Sequence, residues 1–381
     1  MIAMSERAEL KIPKQYQGKR LWSFSKMNEY CNCTYAYYLS RIKKVPKHDN
    51  IYSILGTLAH DINEAYYTQN ATKEQMLDMF EEGLDKIKLS KYRFSPDAEK
   101  NVKMFDKYSS CVRHFYENFQ PVNAKVIREK EVYTNINGHI FLGYVDQFHI
   151  EDGYLIITDD KTSSIYDKKK IEKEKAQLLN YALAIIQQGY PIDKIKLRWN
   201  FIKYANVSYM QKNGKEKVGK YERYEIVKKL NTNLRMRLKD YGLTEEEIND
   251  KIELANLTNS LDNLPDEVKN AYTISNCYVY VELNTEVIQE FIKEITAVVE
   301  EIEQQEKIGE VGFERDKIEE NENYWCSVLC GVNSHCKYYK QYLDDINTFL
   351  DKEHEITNMY EDNQADSLDD EIAKLLEMMN D

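Results

Sequence analysis

The sequence has no long apolar run and little proline or glycine, and each absence narrows the class of protein. A transmembrane helix is excluded, because no run of about eighteen apolar residues occurs. Residues 1–20 are polar and basic with no apolar segment, so we expect no secretory signal. The 6 prolines and 13 glycines form no linker, and no repeat is visible. A chain of 381 residues therefore suits one large domain or two modest ones.

Cysteines are few, and a nucleotide-binding loop is missing. Seven cysteines, an odd number without a secretory signal, indicate reduced thiols or metal ligands rather than disulfides. We therefore expect a cytoplasmic protein. No G-x-x-x-x-G-K-[ST] phosphate loop occurs, so the chain has no visible ATP motor of its own.

The net charge of −13 is concentrated at one end of the chain. Residues 344–381 hold thirteen acidic and two basic residues, a net charge of −11, so residues 1–343 carry only −2. Residues 11–47 hold nine basic residues against one acidic, and a second basic patch follows at 168–175. Local patches set the field that a phosphate backbone meets, so the acidic total leaves DNA binding open. Solvated lysine faces are the alternative explanation.

Apolar spacing predicts an α/β fold with a mixed sheet. Alternating residues and the Asn137-Gly138 turn predict a hairpin of strands at 126–133 and 139–150, followed by a strand at 154–159. The other predicted elements are helices at 54–69, 73–88, 96–119, 171–189 and 286–307, strands at 195–207 and 277–283, and a charged helical segment at 223–272.

Charged residues fall at the ends of adjacent predicted strands. Asp146 lies in the second strand of the hairpin, and the next strand ends in Asp159-Asp160-Lys161. Antiparallel pairing would bring Asp146 beside Asp159, and the period of two places Lys161 on the face of Asp159. Two converging carboxylates repel each other unless a hard cation such as Mg²⁺ or Mn²⁺ joins them. A lysine beside the cation can orient or help to deprotonate water, which suits phosphodiester hydrolysis.

Two predicted helices add polar residues to this group. His60 follows Gly56 and shares a helix face with Glu64, one turn later. Gln177 and Tyr181 share a face of the helix that follows the Asp-x-Lys strand. A single histidine or glutamine on a helix is more often structural, so the ordered set of motifs is what favours a functional site.

The order G-x-x-x-H, G-x-x-D, D-x-K-T and Q-L-x-x-Y resembles the RecB-like branch of the PD-(D/E)XK nucleases, over most of residues 21–340. The resemblance implies a restriction-endonuclease-like fold, with a mixed central sheet flanked by helices. It implies the metal ligands His60, Asp146, Asp159 and Asp160, the last through its main-chain carbonyl. It also implies the catalytic residues Lys161, Asp146, Asp159, Gln177 and Tyr181. One departure is Asp160 itself, which stands where an aromatic residue is frequent.

A short segment near the end of the predicted fold holds three cysteines: Cys326, Cys330 and Cys336. Three thiols so close need a fourth ligand to close a metal site. In the iron–sulfur members of the branch that this chain resembles, that ligand comes from the N-terminal segment, which corresponds to Cys33. The resemblance thus implies a structural 4Fe–4S cluster that joins the two ends of the domain. The spacing of the first pair departs from the usual one, so zinc with His335 or Cys31 is the alternative.

These features predict a metal-dependent DNA exonuclease that acts on single-stranded DNA or single-stranded ends, in recombination or repair. The expected organisation is a nuclease domain at 1–343 with a helical insertion at about 208–272, cluster-binding segments at 31–33 and 326–336, and an acidic tail at 344–381. The alternative is a subunit of a recombination or CRISPR adaptation complex that binds DNA ends or a partner without cutting. The acidic tail would suit contact with such a protein partner.

Overall fold

The computed structural model describes residues 12–315 and 317–348, which fall into two compact units. Unit 1 is built from Met1–Asn28 and Asp49–Lys307, and unit 2 from Glu29–His48 and Ile308–Asp381. Residues 349–381, which make up most of the expected acidic tail, lie outside the described residues. The expected division into a nuclease domain, an insertion and a tail stays a prediction.

Within the described residues, unit 1 contains a seven-stranded mixed sheet. Its strands are β1 (Leu21–Trp22), β2 (Ile127–Ile136), β3 (His139–Glu151), β4 (Tyr154–Lys161), β5 (Ile195–Met210), β6 (Glu216–Glu222) and β7 (Tyr272–Val281). β3 pairs antiparallel with β2 and β4 and parallel with β1. β5 pairs parallel with β4 and antiparallel with β6 and β7. This confirms the predicted α/β fold class, a mixed central sheet with flanking helices.

Two tight turns determine how β2, β3 and β4 align. Asn137 and Gly138 have φ values of 50° and 92°, the pair of positive values that suits a two-residue hairpin between twisted strands. Asp152 and Gly153, with φ values of 50° and 77°, form the next turn in the same way. The register of the three strands therefore follows from local sequence.

The helices of the described residues lie close to their predicted positions. They are α1 (Phe24–Asn32), α2 (Thr34–Tyr37), α3 (Ile51–Gln69), α4 (Lys73–Lys88), α5 (Ala98–Glu117), α6 (Lys168–Ile186), α7 (Ile226–Tyr241), α8 (Glu245–Thr258), α9 (Asp266–Lys269) and α10 (Thr285–Ile308). Side chains cap the two helices nearest the site, Asn50 at α3 and Asp167 at α6, by accepting main-chain N–H groups. A shared apolar core joins α3, α4 and α5. None of the described helices combines the length and the apolar character that crossing a membrane requires.

The segment expected to be a helical insertion, 208–272, differs from that expectation. It begins with a strand pair, because a turn after Gln211 reverses the chain between β5 and β6. The side chains of β6 are mostly exposed and charged and show no apolar alternation, so the sequence does not reveal this strand. α7, α8 and α9 follow and form a separate apolar core with β5. The last strand starts at Tyr272 rather than at the expected Cys277.

Unit 2 is small and consists mainly of helical segments. Its elements include α2, two π-helical turns at Tyr38–Ile42 and Trp325–Leu329, short 3-10 turns and a helical stretch at 337–348. The apolar cluster around Cys330 has few buried members, Tyr35, Ala36, Leu39, Cys330 and Val332, and Tyr37 and Phe313 of the same unit are buried as well. A core of this size gives limited stability by apolar burial alone, which is the situation in which small folds use metals or disulfides.

Candidate active site and cysteine cluster

The two carboxylates expected to converge lie on neighbouring strands. The register that pairs Gln147 with Thr158 places Asp146 on β3 next to Asp159 on β4. The Lys161 ammonium lies 2.6 Å from Asp159 Oδ2. The two residues are two positions apart on β4 and therefore share a face of the sheet. Both aspartates are buried.

Burial and neighbouring charges shift the pKa of these groups. Burial raises the pKa of Asp159 to about 6, and Asp146 adds to the shift although Lys161 opposes it. Burial alone would lower the pKa of Lys161, but Asp159 and Asp146 raise it above its usual value. The lysine therefore keeps its charge, and the repulsion between the two carboxylates is what a divalent cation would relieve.

His60 reaches this group from α3. Its Nδ1 lies 3.4 Å from Asp146 Oδ2, and its Nε2 lies 3.1 Å from the carbonyl oxygen of Asp160. Burial would lower the pKa of His60, but Asp146, Asp160 and Asp159 raise it above its usual value. The imidazole thus sits where negative charge is concentrated, and the same oxygens would attract a metal cation.

Glu129 belongs to the group as well, and the sequence reasoning missed it. In the described residues, His60, Glu129 and Asp146 form a set whose ligand atoms all lie within 4.8 Å of one another. Glu129 lies opposite Asp146 on β2, between the pairs Arg128–Gln147 and Lys130–Val145. Its φ of 46° is unusual for a strand residue with a side chain. Counting back from the hairpin turn would have placed it there.

The side chain of Asp160 on β4 and its main-chain carbonyl make contacts in different directions. Its carboxylate lies on the opposite face from Asp159, where it accepts from Arg128 (3.1 Å), Asn63 (3.0 Å) and Asn200 (2.9 Å). Burial would raise its pKa, but Arg128 beside it holds the pKa below the usual range. Its main-chain carbonyl is the atom near His60. The structure therefore places the carbonyl, and not the carboxylate, toward the site.

His60, Glu129 and Asp146 line a pocket of about 720 Å³. Gln177 and Tyr181 line it from α6, and the Gln177 amide donates to the Tyr181 hydroxyl at 2.7 Å. The Tyr181 ring lies against Gly143 so closely that a Cβ there would be 2.7 Å from the ring. Glu64, on the His60 face of α3, also lines the pocket. Residues of both predicted helix motifs thus line one cavity together with Gly143 and Asp146 of the G-x-x-D motif.

The four cysteines expected to hold a cluster all lie in unit 2. Cys330 is in the small apolar core, with Cys33 and Cys336 packed at its edge. Burial, with Cys33 nearby, raises the pKa of Cys326 to about 11 and that of Cys330 to about 12. Buried thiols that raise one another's pKa are deprotonated when a cation binds them, which makes this donor set suitable for a thiophilic metal or cluster.

The spacing and the surroundings of these thiols bear on the kind of metal. Cys33 lies close enough to Cys326, Cys330 and Cys336 to add to the pKa increase that burial causes in each of them. Cys31 and His335, the other ligands considered for zinc, are both exposed. The Arg315 guanidinium lies 3.8 Å from Cys33 Sγ.

Comparison with known proteins agrees with this geometry. The family model of the PD-(D/E)XK nuclease superfamily matches residues 21–338, whereas no curated protein matches the chain. Nucleases of this superfamily act on DNA with Mg²⁺ or Mn²⁺, and the carboxylates and histidine described above are ligands that such hard cations accept. Because the match covers well over half of its length, the chain belongs to the PD-(D/E)XK nuclease superfamily.

Proposed function

We propose that this protein is a RecB-like DNA exonuclease that acts on single-stranded DNA or on DNA with single-stranded ends. The observation that carries the proposal is the convergence of His60, Asp146, Asp159 and Lys161 in one connected group, of which His60 and Asp146 line a pocket of unit 1. Such a set has little structural benefit by itself, because buried like charges repel each other. It suits the hydrolysis of a phosphodiester bond.

Each residue has a role in this proposal. His60, Asp146, Asp159 and the carbonyl of Asp160 would hold Mg²⁺ or Mn²⁺, and Glu129 adds a carboxylate to that set. The bound cation would supply Lewis-acid stabilisation of the charge that develops on the scissile phosphate. Lys161, a cation beside Asp159, would orient water and neutralise phosphate charge.

The helix α6 supports a path for single-stranded DNA. Lys173, Gln177 and Tyr181 follow one another at intervals of four residues and therefore share one face of α6. Gln177 and Tyr181 line the pocket. Exposed lysines continue this surface at the first turn of α6: Lys168, Lys169 and Lys170. A lysine-rich helix face beside the pocket would follow the phosphate backbone of such a strand.

The test is a cleavage time course on end-labelled single- and double-stranded DNA with Mg²⁺ or Mn²⁺, comparing wild type with Lys161→Ala. We expect loss of cleavage in the variant with DNA binding and folding retained, because Lys161 is the last residue of β4 and its replacement keeps the main-chain pairing with β5. Progressive shortening from one labelled end would identify an exonuclease and its polarity.

Lys168 provides a matched control, because it is exposed and lies on α6, the helix that also carries the pocket residues Gln177 and Tyr181. Lys168→Ala should weaken DNA binding modestly and leave the cleavage of bound DNA unchanged. If neither wild type nor variant cleaves DNA under these conditions, the nuclease proposal is wrong and a subunit that binds DNA ends or a partner becomes the better description.

We further propose that Cys33, Cys326, Cys330 and Cys336 hold a structural 4Fe–4S cluster in unit 2. The proposal is supported by Cys33, Cys330 and Cys336 around one small apolar cluster and by Cys326, whose pKa is raised by burial and by the nearby Cys33. Anaerobically purified protein should contain about four iron atoms and equal sulfide per chain and absorb visible light. Stoichiometric zinc without iron would contradict the assignment.

A further inference from the structure

A buried polar network lies beneath the candidate metal-binding group, on the opposite face of the sheet. The Arg128 guanidinium donates to Asp160 Oδ2 at 3.1 Å and to Gln147 Oε1 at 2.9 Å. Asn63 and Asn200 donate to the Asp160 carboxylate from α3 and β5. Arg128 is 8% exposed and Asp160 is 4% exposed. A buried ion pair is weak as a source of stability, because desolvation offsets much of the attraction, so its retention calls for another reason.

The main chain of Asp160 connects this network to the other face. Its N–H donates to Asp146 Oδ2 at 3.0 Å, and its carbonyl lies 3.1 Å from His60 Nε2. Asp160 therefore has its carboxylate held by the network on one face of the sheet, while its main-chain N–H and carbonyl contact Asp146 and His60 of the candidate metal-binding group. Any rotation of the Asp160 main chain would move both contacts together.

Arg128 has a similar position next to Glu129. The two are neighbours on β2, where successive side chains point to opposite faces, so the Arg128 side chain reaches the network while Glu129 reaches His60 and Asp146. Glu129 has a φ of 46°, a left-handed conformation that a residue with a side chain adopts only when its surroundings hold it. The Arg128–Asp160 pair spans β3 and ties β2 to β4 immediately before Glu129.

We infer that Arg128 and Asp160 are positioning residues, which hold the Glu129 carboxylate and the Asp160 peptide groups in place for cation binding. The inference rests on the proposed function of the site above them. It assigns a role to side chains that do not touch the cation, and it explains why a charged residue stands at position 160. Because Arg128 and Asp160 hold metal ligands in place without touching the cation, we expect them to affect the affinity for the metal more than the fold.

The test measures Mn²⁺ affinity, by electron paramagnetic resonance of the free ion, and thermal unfolding without metal. The double variant Arg128→Met/Asp160→Leu removes the pair without leaving a lone buried charge, so we expect it to fold. We expect its Mn²⁺ affinity to fall about 10-fold to 100-fold, the range seen when groups supporting metal ligands are lost. A merely structural pair would change the melting temperature and leave the affinity of the folded protein unchanged.

Arg128→Lys serves if the double variant does not fold, because it keeps a cation beside the buried Asp160 carboxylate and changes only the geometry of the contact. We expect a smaller loss of Mn²⁺ affinity in this variant. Wild-type affinity in either folded variant would overturn the inference while leaving the nuclease proposal intact, provided that wild type binds Mn²⁺ and cuts DNA. A wild type that neither binds Mn²⁺ nor cuts DNA would overturn both.

Discussion

At the scale of single residues, Glu129 combines an unfavourable main-chain conformation with a place among the candidate ligands. Glu129→Gly relieves the left-handed conformation and removes one carboxylate from a repelling group. We expect the metal-free protein to become more stable by up to about 1 kcal/mol, since glycine accepts this conformation at some cost in entropy. The affinity for Mn²⁺ should fall at the same time. Melting curves with and without Mn²⁺ would measure both effects.

Asp152, in the turn between β3 and β4, offers a matched control because its φ of 50° is similar. Asp152→Gly should change the stability of the metal-free protein little, because aspartate already suits this turn, and it should leave Mn²⁺ affinity unchanged because the turn is not part of the ligand set. Wild-type Mn²⁺ affinity in Glu129→Gly would show that the carboxylate is not a ligand, and its conformation would then have no functional reason.

His114 on α5 is expected to make the stability of the protein decrease as the pH falls. Burial and then the Arg223 guanidinium, 3.4 Å from its Nδ1, lower the pKa of His114 to about 4. In the unfolded chain its pKa would be about 6.5, so the unfolded state binds a proton first as the pH falls. The neutral histidine's contribution, about 3 kcal/mol, is therefore present above pH 6.5 and is lost as the pH falls toward 4.

Urea unfolding at several pH values between 4 and 7 would test this, with His114→Gln beside wild type. The variant has no titrating group at this position, so its stability should fall less steeply with decreasing pH. Equal slopes for the two proteins would mean that the pKa of His114 is the same in the folded and unfolded states, contrary to its burial beside the arginine.

At the scale of elements, the approach of α6 to β3 depends on Gly143. A Cβ at this position would meet the buried ring of Tyr181 at 2.7 Å, so Gly143→Ala should force the ring aside and destabilise the protein by about 1–3 kcal/mol. We expect cleavage to fall as well, because Tyr181 and Gln177 line the pocket. Thermal unfolding and the cleavage assay would measure the two effects separately.

A second substitution distinguishes a clash from a general intolerance of side chains in this strand. Gly143→Ala/Tyr181→Leu makes room for the new methyl group, so it should recover part of the stability that Gly143→Ala loses. It should not recover cleavage, because the tyrosine hydroxyl that accepts from Gln177 is gone. Additive losses of stability in the double variant would place the effect of Gly143→Ala elsewhere.

The same elements show what the sequence could and could not predict. The pairing of Asp146 with Asp159 was predictable, because Asn137-Gly138 and Asp152-Gly153 determine the turns and hence the register. β6 was not, because an exposed, charged strand carries no alternating apolar pattern. The positive φ of Glu129 has no local sequence signal. It depends on contacts between strands that are far apart in the sequence.

The network around Asp160 shows the same limit. Alternation along β4 puts Asp160 on the face opposite Asp159, so the direction of its side chain could be predicted. Its partners Arg128, Asn63 and Asn200 come from β2, α3 and β5, and no spacing in the sequence relates them. Motifs that lie within one element are therefore visible in the sequence, whereas the residues that support them from other elements become visible in the structure.

At the scale of the whole molecule, the chemistry is divided between the two units, with the hard-cation ligands in unit 1 and the four thiols in unit 2. The small apolar core of unit 2 includes one of the proposed cluster ligands, Cys330. The binding energy of the cluster should therefore be the main source of stability for unit 2. Unit 1 has its own extensive cores and should depend on the cluster much less.

Cys330→Ser in the full chain tests this division. We expect loss of iron and of visible absorption, and rapid proteolytic cleavage within 308–348, while Mn²⁺ binding at His60 and Asp146 persists. Cys31→Ser is the matched control, because Cys31 is exposed in the same unit and should leave iron content and protease resistance unchanged. An iron-free Cys330→Ser protein whose unit 2 still resists protease would show that apolar packing suffices there. Loss of Mn²⁺ binding together with the iron would show instead that unit 1 depends on the cluster for its own structure.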